Sequence, residues 1–133
     1  MVRVLGFLLA SLATVAAHAA TFIVNVGGNN PPTFNPKTIT ISAGDTITFV
    51  NKGGLHNAKA DDGSFRCARG CDGDGHGGNG AASTSNWVAS VKFSAPGTIG
   101  YYCEQHGAPG QGMYGTIIVQ PQVPVRLQSF EVD

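Results

Sequence analysis

Hydrophobic and polar residues alternate along several short stretches of the chain. Residues 38–42 read Thr-Ile-Thr-Ile-Ser and residues 46–51 read Thr-Ile-Thr-Phe-Val-Asn, separated by the turn-forming triplet Ala-Gly-Asp. A period of two residues is the pattern of a half-buried β-strand, so both stretches are predicted to be strands. Four apolar side chains are expected to share one inner face: Ile39, Ile41, Ile47 and Phe49.

Similar stretches recur between clusters of Gly, Pro and Asn. The strongest cluster is the Gly-Gly-Asn-Asn-Pro-Pro run at residues 27–32, which ends a β-rich segment. No segment has the periodicity of a helix, and we find no internal repeat. Many short strands with frequent turns predict an all-β sandwich or barrel. The further predicted strands are residues 21–26, 87–88, 90–93, 98–102 and 116–119.

Two regions break this pattern. Residues 61–86 are rich in Gly, Asp, Ser and Asn and are predicted to form a long loop insertion, a kind of segment that is usually functional or mobile. The tail from residue 121 to residue 133 allows two interpretations, a late strand or an unattached end. Its apolar residues are Val125, Leu127, Phe130 and Val132.

The first 19 residues have the composition of a secretory signal. Arg3 gives a positive start, residues 4–17 are almost wholly apolar, and the run ends at Ala17-His18-Ala19. Cleavage is expected after Ala19 or Ala20. A membrane anchor is the alternative, but the apolar run is shorter than the roughly 20 residues that a span requires. Export predicts a periplasmic or secreted protein.

The remaining roughly 113 residues are enough for one domain with one core. Eight basic residues balance eight acidic ones in the whole chain, which argues against a nucleic-acid partner, since such binding requires a basic patch. The rest of the chain has no second apolar run long enough to span a bilayer. The three cysteines are an odd number, so at least one thiol of the exported protein has a role other than a disulfide.

The most informative segment is residues 101–116. A predicted strand leads to Cys103, His106 follows three residues later, and a Gly/Pro-containing loop then leads to Met113 and another strand. Copper that cycles between Cu(I) and Cu(II) prefers a thiolate, imidazoles and a weak axial thioether. His56 is the plausible second imidazole. A nucleophile–base pair or a core methionine would explain single residues, but not the whole set.

These residues identify a resemblance to the cupredoxin family, in its plastocyanin/azurin group of small blue-copper proteins. The resemblance covers residues 21–119 and implies an eight-strand Greek-key sandwich that holds one type 1 copper ion at one end. The implied ligands are His56, Cys103, His106 and Met113. The segments that carry it are residues 34–41, 44–51, 56–57, 102–106 and 112–115.

Two features depart from the family pattern. Six residues separate His106 from Met113, more than in the plastocyanin-type loop, which is expected to lengthen or tilt the axial bond. Glu104 follows the cysteine, where many relatives carry a small hydroxyl residue that bonds to the asparagine after the first histidine. The link from Asn57 is therefore expected to run through the backbone or to be altered.

If Cys103 binds copper, Cys67 and Cys71 remain as a disulfide pair, which requires a chain turn between them. Free thiols and a redox switch are the alternatives. The Asp72–Gly77 stretch resembles the start of a calcium loop, but Ser83 stands where a bidentate glutamate belongs. His76 is a second metal ligand or a simple loop residue.

The resemblance implies an electron carrier and not an enzyme. In this family the second histidine faces solvent, so redox partners are expected to dock transiently near His106 on a monomeric protein. Leu55 and Tyr114 either contribute to an apolar docking patch or pack in the core. Three other functions use the same residue types: a copper enzyme, a copper carrier or storage protein, and a zinc site in the same pocket.

Overall fold

A computed structural model describes residues 17–123 continuously, together with residue 6 and residues 10–11, 14–15 and 125–126. Within these residues every regular element is a strand, which confirms the all-β prediction. No helix there is long and apolar enough to cross a membrane. The twelve strands are β1 (Thr14–Val15), β2 (Thr21–Val26), β3 (Phe34–Asn35), β4 (Thr38–Ser42), β5 (Thr46–Asn51), β6 (Ala58–Ala60), β7 (Arg66–Ala68), β8 (Gly70–Cys71), β9 (Val88–Lys92), β10 (Gly97–Ala108), β11 (Gln111–Gln120) and β12 (Val125–Arg126).

The strands form two main sheets. One has six strands in the order β4-β11-β10-β6-β7-β8, and the other has four in the order β3-β2-β5-β9. Both sheets are mixed, because β4 pairs with β11 in parallel and β2 pairs with β5 in parallel. Each sheet keeps two open edges among the described residues, so the fold is a sandwich and not a closed barrel.

The hydrophobic core lies between the two sheets. Ile47 and Phe49 on β5 are fully buried, as the alternating pattern predicts. Ile41 on β4 is also buried, but β4 and β5 belong to different sheets. The two alternating stretches therefore face the same core from opposite sides and do not share one face. An aromatic cluster fills the centre: Phe34, Phe49, Phe65 and Tyr101.

The Gly/Asp-rich segment is more ordered than a loop. Residues 66–68 and 70–71 form the short hairpin β7–β8, in which Cys67 and Cys71 lie opposite each other and form a disulfide. The hairpin continues the six-stranded sheet beyond β6, and Cys71 Sγ lies 3.8 Å from the backbone oxygen of Ser90 on β9. The composition indicates a loop because these strands are only two or three residues long and are separated by turn-forming residues.

Residues 14–15 and 125–126 form a separate two-stranded sheet, where Thr14 pairs with Arg126 and Val15 with Val125. The tail therefore forms a strand at residues 125–126. Most of the predicted signal segment, and the tail residues Leu127, Phe130 and Val132, lie outside the described residues.

Candidate metal centre

A bulge between β10 and β11 carries three of the predicted ligands. Backbone pairing is regular up to Tyr102–Tyr114 and resumes at Gly107–Gly112. Four residues of β10, numbers 103–106, thus lie opposite one residue of β11, Met113. Bulges redirect side chains out of the regular sheet alternation. Here the irregularity contains Cys103, His106 and Met113 and no further residue of β11.

The stretch between His106 and Met113 is a hairpin and not an open loop. Beyond the bulge, Gly107 pairs with Gly112 and Ala108 with Gln111, so the chain reverses at Pro109 and Gly110. The extra residues therefore extend the hairpin outward and bring Met113 back opposite the bulge. Met113 itself is buried, with 2% of its surface exposed.

His56 comes from a separate part of the chain and is held by its backbone. Its N–H donates to the backbone oxygen of Ser83, and its own oxygen accepts from the Ser83 N–H and from the indole N–H of Trp87. Its ring lies against two glycines. A β-carbon placed on Gly27 or Gly54 would come within 2.3 Å or 2.5 Å of His56 Nε2, so any larger residue would displace the imidazole.

The three side chains converge on one point. Cys103 Sγ lies 3.7 Å from Nδ1 of His56 and 3.7 Å from Nδ1 of His106, and the three atoms lie within 4.8 Å of one another. A metal held about 2.3 Å from sulfur and about 2.0 Å from nitrogen, at trigonal angles, would place the sulfur about 3.7 Å from each nitrogen. One thiolate and two imidazoles in this spacing fit a copper ion.

The two histidines differ in their surroundings. His56 is buried, with 3% of its surface exposed, whereas His106 is exposed. Burial lowers the pKa of His56 below its ordinary value, and the charge of His106 lowers it further. A lowered pKa favours the neutral ring, the form in which a ring nitrogen binds a metal.

Asn57 and Glu104 tie the two ligand segments together. The Glu104 N–H donates to Asn57 Oδ1 at 2.9 Å, and Asn57 Nδ2 donates to Glu104 Oε1 at 2.9 Å. The link therefore runs through the backbone, as one expectation allowed, and the carboxylate adds a second bond. Since Asn57 follows His56 and Glu104 follows Cys103, both bonds fix the relative position of two metal-binding side chains.

Residues 20–120 match the family described as copper binding proteins, plastocyanin/azurin family. The chain belongs to this family. It is 40% identical over 119 residues to the chloroplastic plastocyanin of Chlamydomonas reinhardtii, covering 88% of this chain and 79% of that protein. It is 38% identical over 122 residues to the plastocyanin of Prochlorothrix hollandica, covering 90% and 87%.

A solved structure shows the same fold. Pseudoazurin from Methylobacterium extorquens AM1 superposes with a TM-score of 0.52 at 24% identity, over 75% of each chain. Membership of the family identifies the cofactor as copper, which spacing alone does not distinguish from zinc. Plastocyanin-like cupredoxins are electron carriers and not enzymes, so this chain is a cupredoxin of the electron-carrier type.

Sequence reasoning missed the residue that supports Glu104. Arg66, at the start of the disulfide hairpin, donates from Nε to Glu104 Oε1 and from an Nη to Asp72 Oδ2 at 3.0 Å. The hydrogen bond from the Arg66 guanidinium is the main cause of the lowered pKa of Glu104, and the hydrogen bond from Asn57 lowers this pKa further. No local motif marks Arg66, because its partners lie 6 and 38 residues away.

The stretch that resembles a calcium loop uses its carboxylates internally. Asp74 accepts from the N–H groups of Cys71, His76 and Gly78, and Asp72 accepts from Arg66 and from the Gly80 N–H. These bonds lower the pKa of both aspartates, chiefly through Gly80 for Asp72 and His76 for Asp74. Within the described residues His76 joins no group of potential ligands.

A shallow depression of about 490 Å³ lies beside the two histidines. Leu55 lines it and is 40% exposed, which excludes core packing for this side chain. Tyr114 does not line it. Instead, the ammonium group of Lys37 lies 3.9 Å from the centre of the Tyr114 ring. The lining residues are Gly28, Asn29, Asn30, Pro32, Gly53, Gly54, Leu55, His56 and His106, none of them Lys, Arg, Asp or Glu.

Proposed function

We propose that this protein is an exported one-electron carrier whose copper ion is held by His56, Cys103, His106 and Met113. The observation that carries the proposal is the convergence of one buried thiol and two imidazole nitrogens, 3.7 Å from sulfur to each nitrogen, in a chain of the plastocyanin/azurin family. Bound copper supplies the Cu(I)/Cu(II) couple.

The chain's own contribution is to restrict movement of the ligands. Cys103 and Met113 are buried, and backbone pairing flanks the bulge on both sides. His56 is confined between Gly27 and Gly54. A centre whose ligands cannot rearrange requires little change of geometry when the oxidation state changes, and this favours fast electron transfer. Met113, the residue of β11 opposite the bulge, would hold the copper as the fourth ligand through its thioether.

His106 is the point through which electrons enter and leave. Its Nδ1 faces Cys103 Sγ while the residue is exposed, whereas His56 is enclosed. The surface around it carries Leu55 and Pro32 and no charged side chain among its lining residues. Such a small, uncharged surface suits transient docking of a redox protein to a monomeric carrier.

Export rests on the first 19 residues. The apolar run and its Ala17-His18-Ala19 end predict cleavage after Ala19 or Ala20, which would leave a domain of residues 20–120 followed by the tail. The family match begins at residue 20 and the first strand of the sandwich begins at Thr21, directly after this point. A periplasmic or secreted location follows.

The experiment is a titration of the purified protein with Cu(II), followed by visible spectroscopy and voltammetry. We expect an intense charge-transfer band that disappears on reduction, returns on oxidation, and is absent from Cys103→Ser. A protein that binds zinc but gives no coloured copper form would overturn the proposal, and a copper form without reversible redox behaviour would favour copper storage.

The assignment of Met113 as a ligand is tested separately. Met113→Gln replaces a thioether with a harder oxygen donor, so we expect the reduction potential to fall while copper remains bound. Met113→Leu retains the buried apolar volume but removes the donor, so we expect the potential to rise. An unchanged potential in both variants would show that Met113 is a core residue and not a ligand.

A further inference from the structure

Five residues near the metal centre form a closed ring of hydrogen bonds. Asn57 Nδ2 donates to Glu104 Oε1 and to the backbone oxygen of Gly80, both at 2.9 Å. Arg66 donates to Glu104 and to Asp72, and the Gly80 N–H closes the ring by donating to Asp72 Oδ1 at 2.7 Å. The ring therefore joins both ligand segments to the Gly/Asp-rich segment.

Arg66 is the one member of the ring that bridges two carboxylates. Without Arg66, the Glu104 carboxylate would keep only the bond from Asn57 Nδ2, and Asp72 would lose its bond to the guanidinium. A guanidinium is suited to this role because its donors lie in a fixed plane and can satisfy two acceptors at once. Loss of Arg66 would leave the Glu104 carboxylate held against Asn57 by a single hydrogen bond.

The position of Arg66 is set by its own segment. It precedes Cys67 of the disulfide, and its backbone pairs with Lys59 on β6. Its backbone oxygen accepts from the Asp72 N–H at 2.9 Å and is packed so closely against Gly80 that a β-carbon there would lie 2.2 Å from it. The guanidinium thus extends from a braced backbone towards the metal centre.

We propose that Arg66 is a positioning residue for the copper centre, which it serves by holding Glu104 against Asn57 and thereby fixing Cys103 relative to His56. The inference rests on the proposed function, since it assigns a role in the same metal site. Because the side chains of Arg66 and Glu104 are 34% and 29% exposed, their ion pair contributes little to overall stability. The effect of losing it is therefore local to the ligands.

The test compares Arg66→Gln with Arg69→Gln in the copper-loaded protein. Arg69 lies on the same hairpin, is exposed, and forms no ion pair with another described residue, which makes it a matched control. We expect copper release to a chelator to become about tenfold faster in Arg66→Gln, with a shifted charge-transfer band, and to stay unchanged in Arg69→Gln. Arg66→Lys, which retains the charge but not the planar fork, should lie between them.

A second readout does not depend on electron transfer. In the diamagnetic Cu(I) or zinc-loaded protein, hydrogen exchange of the Glu104 amide reports its bond to Asn57, and we expect faster exchange in Arg66→Gln alone. Equal release rates, spectra and exchange in the two variants would overturn the proposal. If Arg66→Gln does not fold, Asp72→Asn, which weakens the same ring from its outer side, must show the same changes.

The two proposals fail in different ways. A wild-type protein that takes up zinc but gives no coloured copper form would remove the electron-carrier proposal, while zinc release and Glu104 exchange would still decide the role of Arg66. A blue wild-type protein with an inert Arg66→Gln variant would remove the positioning role alone.

Discussion

Two segments reach the metal centre, and different forces hold them in place. The hairpin of β10 and β11 is fixed by backbone pairing on both sides of its bulge, which carries Cys103 and His106. The Gly/Asp-rich segment, residues 61–86, has only short strands. It is held by a disulfide and by side chains that bond to backbone N–H groups, chiefly those of Asp72 and Asp74.

This difference determines which substitutions each segment tolerates. Backbone ladders are made by every residue other than proline, so the β10–β11 hairpin depends on side chains mainly for packing and for metal binding. Local bonds from Asp, Asn and Ser side chains replace such ladders in irregular chain, so the Gly/Asp-rich segment depends on particular side chains. Polar substitutions should therefore have larger structural effects in the second segment.

The largest effect is expected where the two segments meet. Asn57 is fully buried, and Asn57→Ala would leave the Gly80 oxygen and the Glu104 N–H without their partners. Because each buried group that loses its bond costs about 1–3 kcal/mol, the free energy of unfolding should fall by about 3 kcal/mol. Urea denaturation of the metal-free protein measures it.

Asn29→Ala is the control for that experiment. Asn29 also uses its side chain in two hydrogen bonds, both with Thr33, but these lie at the surface. Its loss should cost less than about 1 kcal/mol. Equal losses in the two variants would show that Asn57 does not join the segments.

Removal of the disulfide should have the next largest effect. Replacing both Cys67 and Cys71 with alanine opens a loop closed by a sequence separation of four residues, so the free energy of unfolding should fall by about 2 kcal/mol. Reduced wild-type protein should behave in the same way. Copper should still bind, because none of the proposed ligands lies in the hairpin of residues 66–71. A variant that no longer binds copper would contradict the separation between the two segments.

Acid should weaken the Gly/Asp-rich segment by a smaller amount. The pKa of Asp74 is lowered in the folded protein, mainly by the His76 N–H, so the unfolded chain binds protons more readily at acidic pH. The stabilisation is present above the ordinary aspartate pKa of about 3.9 and is lost as the pH falls through the lower, folded value. Asp74→Asn should flatten the dependence of stability on pH below about 4, and an unchanged slope would contradict this role.

Tyr101→Phe should have the smallest effect. Tyr101 is fully buried on β10, and its hydroxyl has no hydrogen-bond partner among the described residues. Burial raises the pKa of this phenol. Since the ring packs against Phe34 and Phe49 and the hydroxyl makes no bond, its removal should leave the free energy of unfolding unchanged or raise it by up to about 1 kcal/mol. A clear loss of stability would indicate a bound water.

Local sequence determines the position of several strands and the proximity of three of the proposed ligands. The period-two stretches at residues 38–42 and 46–51 become strands with the predicted bounds, because alternation specifies which backbone conformation buries the apolar side chains. Cys103, His106 and Met113 are brought together by a single strand–turn–strand unit, so their short spacing already predicts that they lie close to one another.

Only the tertiary structure decides the remaining contacts. His56 lies 47 residues before Cys103, and nothing local to either residue specifies that a ring nitrogen and a sulfur will lie 3.7 Å apart. The same holds for Arg66 and Glu104, and for the placement of β4 and β5 in opposite sheets. Each of these contacts depends on which strands pair within a sheet and on how the two sheets pack against each other. Strand pairing is set by burial of the whole core, which no short window of sequence contains.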